Sequence, residues 1–197
     1  MRISIPVGFA VTAALAASFL PSAGCKRSET PARAPNVTRR EAARALVKAR
    51  GESAATGCQT PYFADVPCSD RDWGWIEKLR TDGLTAGCGK PLPSFCPDEY
   101  LYRAQAAMFV SRAATGGESS VPVTYGPDPA TGRSYSCDPA GPNLRFRDIK
   151  SQDIFCQHVH YLWAKGAIAE AETYLPAADL TETEFGEMVR KGFEVRK

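Results

Sequence analysis

A helix start recurs three times along the 197 residues of this chain and limits the folds that it can adopt. It is written VTRREAARALV from Val37, LYRAQAAMFVS from Leu101 and LTETEFGEMVR from Leu180. In the first and third copies a glutamate follows a threonine by three residues, which is the pattern of a capping box. An apolar residue before each start and apolar residues at helical spacing after it predict three versions of one amphipathic helix. Each copy is expected to bury its apolar face against its neighbours.

A second matched block precedes the second and third helix starts. The stretch FADVPCSDRDWGWIEKLRTDGLTAG from Phe63 aligns with FRDIKSQDIFCQHVHYLWAKGAIAE from Phe146. Each block predicts a short extended entry and a helix of about ten residues that stops at a glycine. The intervening residues 115–144 are rich in glycine, proline and serine, and predict an exposed loop. The chain therefore predicts two full helix–loop–helix units, preceded by the second helix of another.

The cysteines indicate a disulfide-stapled fold in an exported protein. With Cys25 set aside, an even set of cysteines remains, which in an exported chain is typical of disulfides formed in an oxidising compartment. Such a set formally allows many connectivities, but three pairs of sequence neighbours would each close a short loop beside a matched block. The spacing predicts Cys58–Cys68, Cys88–Cys96 and Cys137–Cys156.

The first residues predict an export signal rather than part of the fold. A basic Met-Arg start is followed by an apolar, alanine-rich stretch and then by small residues before Cys25. This stretch is too short and too poorly flanked for a membrane-spanning helix. The small residues before Cys25 resemble a bacterial lipobox, so we expect cleavage after residue 24 and a lipid on Cys25. The alternative is ordinary cleavage nearby, with Cys25 left as a spare thiol.

Composition and motifs do not favour nucleic-acid binding, catalysis or a metal site. The formal net charge of +2, without a basic block, predicts no general attraction to nucleic acid. The sequence lacks Gly-x-Ser-x-Gly, a phosphate-binding glycine-rich loop and His-Glu-x-x-His, although paired carboxylates cannot be recognised without distances. No Cys-x-x-Cys occurs, and His158 and His160 lie two apart on a predicted helix, facing different ways. We therefore expect no catalytic residues, no metal and no cofactor.

These motifs together resemble the S-layer homology (SLH) family. The resemblance rests on the F-x-D-V entry at Phe63, Trp73 at a helix start, GLTAG from Gly83, FCPDEYLYRAQAAMFVSRA from Phe95 and NVTRREAARAL from Asn36. It implies a mainly α fold, in which repeated helix–loop–helix units form a small bundle about a pseudo-threefold axis. The first motif lacks its first half, which leaves the closed three-part arrangement open. The implied segments are a signal peptide at 1–24, a tether at 25–35 and an SLH-like domain at 36–197, with a partial repeat at 36–50, repeats at 62–114 and 145–193, and the loop at 115–144.

Two arginines are candidate anion-binding residues. Arg39 and Arg103 take the first position of their capped helices, where a cation typically costs about 0.3–1 kcal/mol but backbone donors and charge converge on an anion. The third copy has Glu182 there instead. In the SLH family the equivalent arginine contacts acidic groups of the wall polysaccharide, which implies that role for Arg39 and Arg103. The alternative is a pair of solvated surface arginines, and in either case we expect their loss to leave the fold intact.

Three other residues have weaker claims to a binding role. The resemblance suggests that Trp73 stacks on a sugar ring, whereas a tryptophan at a helix start is more often part of the core. Asp65 and Asp148 are better explained as turn formers than as catalytic acids. Trp73 is therefore the third candidate glycan-binding residue, after the two arginines.

Together with the leader, the SLH resemblance implies a non-catalytic module that associates an exported lipoprotein with the bacterial cell envelope. The expected partners are an acidic cell-wall or envelope polysaccharide and the lipid bilayer, the latter through the N-terminal lipid anchor. Lys26 directly after Cys25 would favour the outer membrane if the envelope is Gram-negative. The alternative function is a structural or protein–protein interaction module that binds an envelope protein without binding glycan.

Overall fold

The computed structural model describes residues 35–89 and 93–194, and this part of the chain is mainly helical. The helices are α1 (Arg39–Ala49), α2 (Trp73–Thr81), α3 (Arg103–Thr115), α4 (Cys156–Ala164) and α5 (Glu182–Gly192). A short 3-10 turn (Glu118–Ser120) and a two-stranded antiparallel sheet, β1 (Thr124–Tyr125) and β2 (Tyr135–Ser136), lie between α3 and α4. The predicted helix-rich class is confirmed.

The predicted export features lie outside the described residues. These features are the signal peptide, Cys25 and the tether, of which only the last residue is described. Within the ranges that the structure describes, none of the helices is long and apolar enough to cross a membrane.

Capping hydrogen bonds occur at the starts of α1 and α5, as the sequence predicts. The Thr38 N–H donates to the Glu41 carboxylate at 2.8 Å, and the Glu41 N–H donates back to Thr38 Oγ1 at 3.4 Å. Thr181 makes the same reciprocal pair at the start of α5, at 2.9 and 3.2 Å. At α3 only one half is present, because the Tyr102 N–H donates to Gln105 Oε1 at 3.2 Å while the Tyr102 side chain makes no capping hydrogen bond. The capping boxes predicted for the first and third copies are therefore confirmed.

The three segments that lead into α1, α3 and α5 pair with one another. We call residues 36–38, 100–102 and 179–181 the entry ring. Antiparallel bridges join each segment to both of the others: Asn36 with Thr181, Thr38 with Tyr100, and Tyr102 with Asp179. The central residue of each segment is almost inaccessible to solvent: Val37, Leu101 and Leu180. The three helix starts thus form a closed arrangement around a buried apolar centre.

One continuous core receives side chains from every helix. α1 packs against α2, α3 and α5, while α3 also packs against α4 and α5. Fully buried examples are Leu46 of α1, Leu79 of α2, Val110 of α3 and Leu162 of α4. The approach of α5 to α3 is close, because a Cβ at Gly192 would lie 2.6 Å from Val110 Cγ1.

Two aspartates hold the loops that precede α3 and α5. The Asp65 carboxylate accepts hydrogen bonds from the N–H groups of Phe95 and Cys96, at 2.8 and 2.7 Å. Asp148 accepts two bonds of the same lengths from Tyr174 and the residue after it. Both loops then pass through a left-handed residue, with φ of 56° at Cys96 and 60° at the equivalent position before α5. The prediction that these aspartates form turns is confirmed.

The three predicted disulfides are present, with Cα–Cα distances of 5.6, 6.1 and 6.0 Å for Cys58–Cys68, Cys88–Cys96 and Cys137–Cys156. These separations lie within the range that a disulfide can bridge. The exposed loop expected at residues 115–144 is only partly exposed, because Tyr125 and Tyr135 are buried against α4. The last disulfide fixes this loop to the first residue of α4.

Candidate anion-binding site

Arg39 begins α1, and its side chain is buried rather than solvated, with 2% of the residue exposed. Its Nε donates to the Phe95 carbonyl at 2.7 Å. The guanidinium carbon lies 4.9 Å from the centroid of the Phe95 ring and 5.3 Å from that of Phe109. Both contacts are close enough for a cation–π interaction. The alternative of a surface arginine is therefore wrong for this residue.

The Arg39 guanidinium keeps unused hydrogen-bonding capacity. Its Nη2 is buried and has no hydrogen-bond partner among the described residues. Burial lowers the pKa of Arg39, while the charges of Glu99 and Asp65 oppose that shift. Arginine nevertheless remains protonated in proteins, so a desolvated positive charge with free donors persists here. Buried polar groups are nearly always satisfied, and one left unpaired is a candidate for ligand binding.

A cavity of about 340 Å³ adjoins this arginine. We call it the Arg39 cavity; its wall includes the loop at 85–88 and exposed Ile154, together with one face of α3. The α3 residues follow the i, i+3, i+4, i+7 spacing that places side chains on one face of a helix: Gln105, Met108, Phe109 and Arg112. The cavity therefore combines a buried cation, an amide and apolar surface, which suits a small acidic group.

Arg112 is the second cation in the cavity wall, but it is already paired with an acidic side chain. Its Nε makes a close ion pair with the Glu118 carboxylate, which is half exposed. Gln157 also donates to Glu118, at 2.8 Å. Arg39 is therefore the cation of this cavity with donors to spare.

Arg103 has a matching but less buried environment. Its Nε donates to the Tyr174 carbonyl at 2.8 Å, and its guanidinium carbon lies 4.8 Å from the Tyr174 ring centroid. The side chain is 20% exposed, and Nη1 lies 3.8 Å from a Glu184 carboxylate oxygen. Glu182, at the corresponding position of α5, is exposed. The two predicted arginines are thus built alike, but Arg103 already has an acidic neighbour.

Trp73 lies apart from the Arg39 cavity. It begins α2, is half-buried and packs against the core, and the residues that line the Arg39 cavity do not include it. Its indole Nε1 is buried without a hydrogen-bond partner in the part of the chain that the structure describes. Of the three predicted glycan-binding residues, only Arg39 is among the residues that line this cavity.

A charge cluster beside α1 was not predicted from the sequence. Asp72 is fully buried and forms ion pairs with Arg40 at 3.0 Å and, more closely, with Arg44. Burial opposes ionisation of this carboxyl, but the hydrogen bonds from the two arginines outweigh burial and lower the pKa of Asp72. Arg40 also contacts Asp70 and Asp98. The spacing of Arg40 and Arg44 on one helical face was the available signal, but their acidic partners come from a distant segment.

The two histidines contact separate polar groups inside the core. His158 Nδ1 lies 2.7 Å from Ser111 Oγ, and its Nε2 lies 3.1 Å from a Glu118 oxygen. Ser111 is fully buried and its hydroxyl also contacts the Ala107 carbonyl, so this cluster has the geometry of a structural hydrogen-bond network. His160 lies beside Cys137 and Cys156, whose sulfurs are joined to each other and so cannot act as thiolate metal ligands.

Comparison with known proteins finds neither a matching family model nor a matching curated protein. The best-defined candidate site is the Arg39 cavity, because its lining includes a buried cation whose Nη2 has no partner among the described residues. Chemically, it can bind and orient an acidic group by charge-assisted hydrogen bonds.

Proposed function

We propose that this chain is a non-catalytic envelope-association module whose Arg39 cavity binds an acidic group of a cell-wall or envelope polysaccharide. The observation that carries the proposal is the buried guanidinium of Arg39, whose Nη2 has no partner within the described residues. Hydrogen bonds to charged groups typically contribute about 1.5–3 kcal/mol, so an acidic group that accepts one from Arg39 would gain binding free energy of this order. Arg103 is a second, weaker position because Glu184 lies near it.

The matched environments of the two arginines support an SLH-like repeat. Asp65 holds the turn at Phe95, whose carbonyl accepts a hydrogen bond from Arg39 Nε. Asp148 holds the turn at Tyr174, whose carbonyl accepts one from Arg103 Nε. In both turns the residue after the aromatic residue has a left-handed backbone conformation. The entry ring supports the third part, since the partial repeat at 36–50 contributes its own segment. We infer that repeats at 62–114 and 145–193 and this partial repeat together provide the SLH-like bundle.

Export and anchoring complete the proposal. Small residues before Cys25 and the polar segment after it support lipid attachment there, which would hold the domain at a membrane. Metabolic labelling with a radioactive fatty acid should mark the wild type and not Cys25→Ser, which should be released in soluble form. Persistent labelling of Cys25→Ser, or no labelling of the wild type, would refute the anchor.

The direct test of the binding site is retention on purified native envelope polysaccharide. Arg39→Met preserves much of the side-chain volume but removes the charge, so we expect affinity to fall roughly tenfold or more. Arg103→Met should have a smaller effect, and Arg133→Met, at an exposed arginine outside the cavity, should have none. Thermal unfolding of each variant controls for folding. If folded Arg39→Met binds as tightly as the wild type, the Arg39 cavity is not the glycan site.

One observation favours the alternative of a protein-binding module. Ile154 is 74% exposed and Tyr102 is 49% exposed on the surface beside the Arg39 cavity. Exposed apolar residues that lie together often mark protein interfaces. If the wild type is retained on no envelope polysaccharide but binds one purified envelope protein stoichiometrically, the alternative replaces the glycan proposal.

A further inference from the structure

An apolar groove of about 310 Å³ adjoins the Arg39 cavity. We call it the Met108 groove; α3 contributes Ala104 and Met108, the approach to α4 contributes Phe155, and the loop before α5 contributes Pro176 and Ala177. The groove surface is almost entirely apolar, whereas the Arg39 cavity mixes polar and apolar groups. Its size is at the lower end for small-molecule sites, which are typically about 300–1,000 Å³.

The cavity and the groove are adjacent and share part of their lining. Gln105, Met108 and Ile154 line both of them. Ile154 is the most exposed large apolar residue in the described part of the chain, and it belongs to the wall of both. A ligand that binds the cation of Arg39 therefore has apolar surface to cover immediately beside it. No separate anchor is needed for the apolar portion of such a ligand.

We propose that the Arg39 cavity and the Met108 groove form one composite site for an amphipathic acid. The acidic group contacts Arg39, and an aliphatic substituent of several carbons lies along Met108, Phe155 and Pro176. The assignment of Arg39 as the acid-binding residue rests on the proposed function. The groove adds a selectivity that charge alone does not provide, namely a preference for acids that carry an apolar chain.

Charge and apolar area together identify this occupant. A neutral apolar ligand would leave Arg39 Nη2 without an acceptor, and a small polar acid would leave Ile154 and the groove uncovered. An amphipathic acid satisfies both. Each methylene group buried in the groove should tighten binding by roughly three- to fourfold.

A homologous series of straight-chain carboxylates tests the composite site. The probes are butanoate, hexanoate and octanoate, titrated by calorimetry into the full chain carrying Cys25→Ser, so that no attached lipid competes. We expect the dissociation constant to fall stepwise with chain length, and octanol to bind at least tenfold more weakly than octanoate because it lacks the charge. Equal affinities along the series would overturn the inference.

Two variants separate the halves of the site. Arg39→Met should weaken octanoate binding roughly tenfold or more, while Ala177→Glu, which places a charge on an exposed groove wall, should flatten the dependence on chain length. The control is Ala130→Glu, the same change at an exposed alanine outside the groove, which should match the wild type. A chain-length dependence unchanged by Ala177→Glu would place the apolar chain elsewhere and overturn the inference.

Retention on envelope polysaccharide, measured on the same preparations, distinguishes this inference from the proposed function. If Arg39→Met abolishes retention but the wild type shows no preference for longer carboxylates, the polysaccharide proposal stands and the composite site falls. If the wild type binds the longer carboxylates through Arg39 but is never retained, the composite site stands and the polysaccharide proposal falls.

Discussion

At the scale of single residues, Arg39 shows which properties the local sequence can predict and which it cannot. Its position at a helix start could be predicted from the capping pattern, and so could its candidacy for anion binding. Its burial could not, because the carbonyl and ring that hold it belong to Phe95, 56 positions along the chain. The cavity wall on α3 is more distant still. Contacts between Arg39 and distant aromatic residues cannot be recognised from the spacing of the residues around Arg39 in the sequence.

Burial changes the stability expected of Arg39 variants. Arg39→Ala should lower the free energy of unfolding by about 1–3 kcal/mol, because it leaves the Phe95 carbonyl without its donor and removes the packing against two rings. Urea unfolding measures the change, and Arg133→Ala is the exposed control. An unchanged free energy would contradict the buried environment and restore the sequence-based expectation that the arginine can be lost without cost.

His158 should make stability depend on pH. Burial lowers the pKa of His158 from 6.5 to about 4. The charge of Glu118 opposes this shift but is outweighed, and the nearby charge of Arg112 lowers the pKa further. Because the unfolded chain binds the proton more readily, the stabilising contribution is complete above about pH 6.5. It is lost as the pH falls towards 4, by an amount on the order of 2 kcal/mol.

Unfolding of His158→Gln at several pH values tests this prediction. Its free energy of unfolding should change less between pH 6.5 and pH 4 than that of the wild type. Burial also lowers the pKa of His160, so part of the dependence should remain. Glu118 contributes at lower pH, since Arg112 lowers the pKa of its carboxyl despite burial. An identical dependence in wild type and variant would show that His158 does not titrate as described.

At the scale of secondary-structure elements, the helices were more predictable than the loop between α3 and α4. Capping pairs such as Thr181 with Glu184 are local, since the two residues lie only three positions apart in the sequence. The loop at 115–144 has the composition of an exposed segment, but Tyr125 and Tyr135 are buried on α4 and pack around His160. Those contacts join distant parts of the chain, and composition does not report them.

Removing one capping box should have a measurable local cost. Thr181→Ala should lower the free energy of unfolding by about 1 kcal/mol, because the N–H of Glu184 loses its acceptor at the start of α5. Thr183→Ala, an exposed change in the same turn, should have little effect. Chemical denaturation of both variants makes the comparison. Equal stabilities would show that the capping hydrogen bonds do not support α5.

At the scale of the whole molecule, the entry ring joins three stretches that the sequence presents as versions of one helix start. Their similarity could be predicted by aligning the sequence with itself. Closure could not, because the first copy lacks its preceding helix and the bridges connect the first segment to one near the end of the chain. The three helix starts differ in their charged environment: buried Arg39 keeps a free donor, Arg103 has Glu184 nearby, and the third start has Glu182.

We propose that the domain recognises the acidic groups of an envelope polysaccharide through Arg39. The most direct measurement compares the affinity of the wild type for the native polysaccharide and for the same polymer after chemical reduction of its carboxyl groups. We predict a loss of roughly tenfold or more on the reduced polymer, and no further loss when Arg39→Met is tested on it, because the two changes remove opposite partners of one contact. Equal affinity of the wild type for both polymers, or independent losses from the two changes, would show that Arg39 does not bind the carboxyl groups of the polysaccharide.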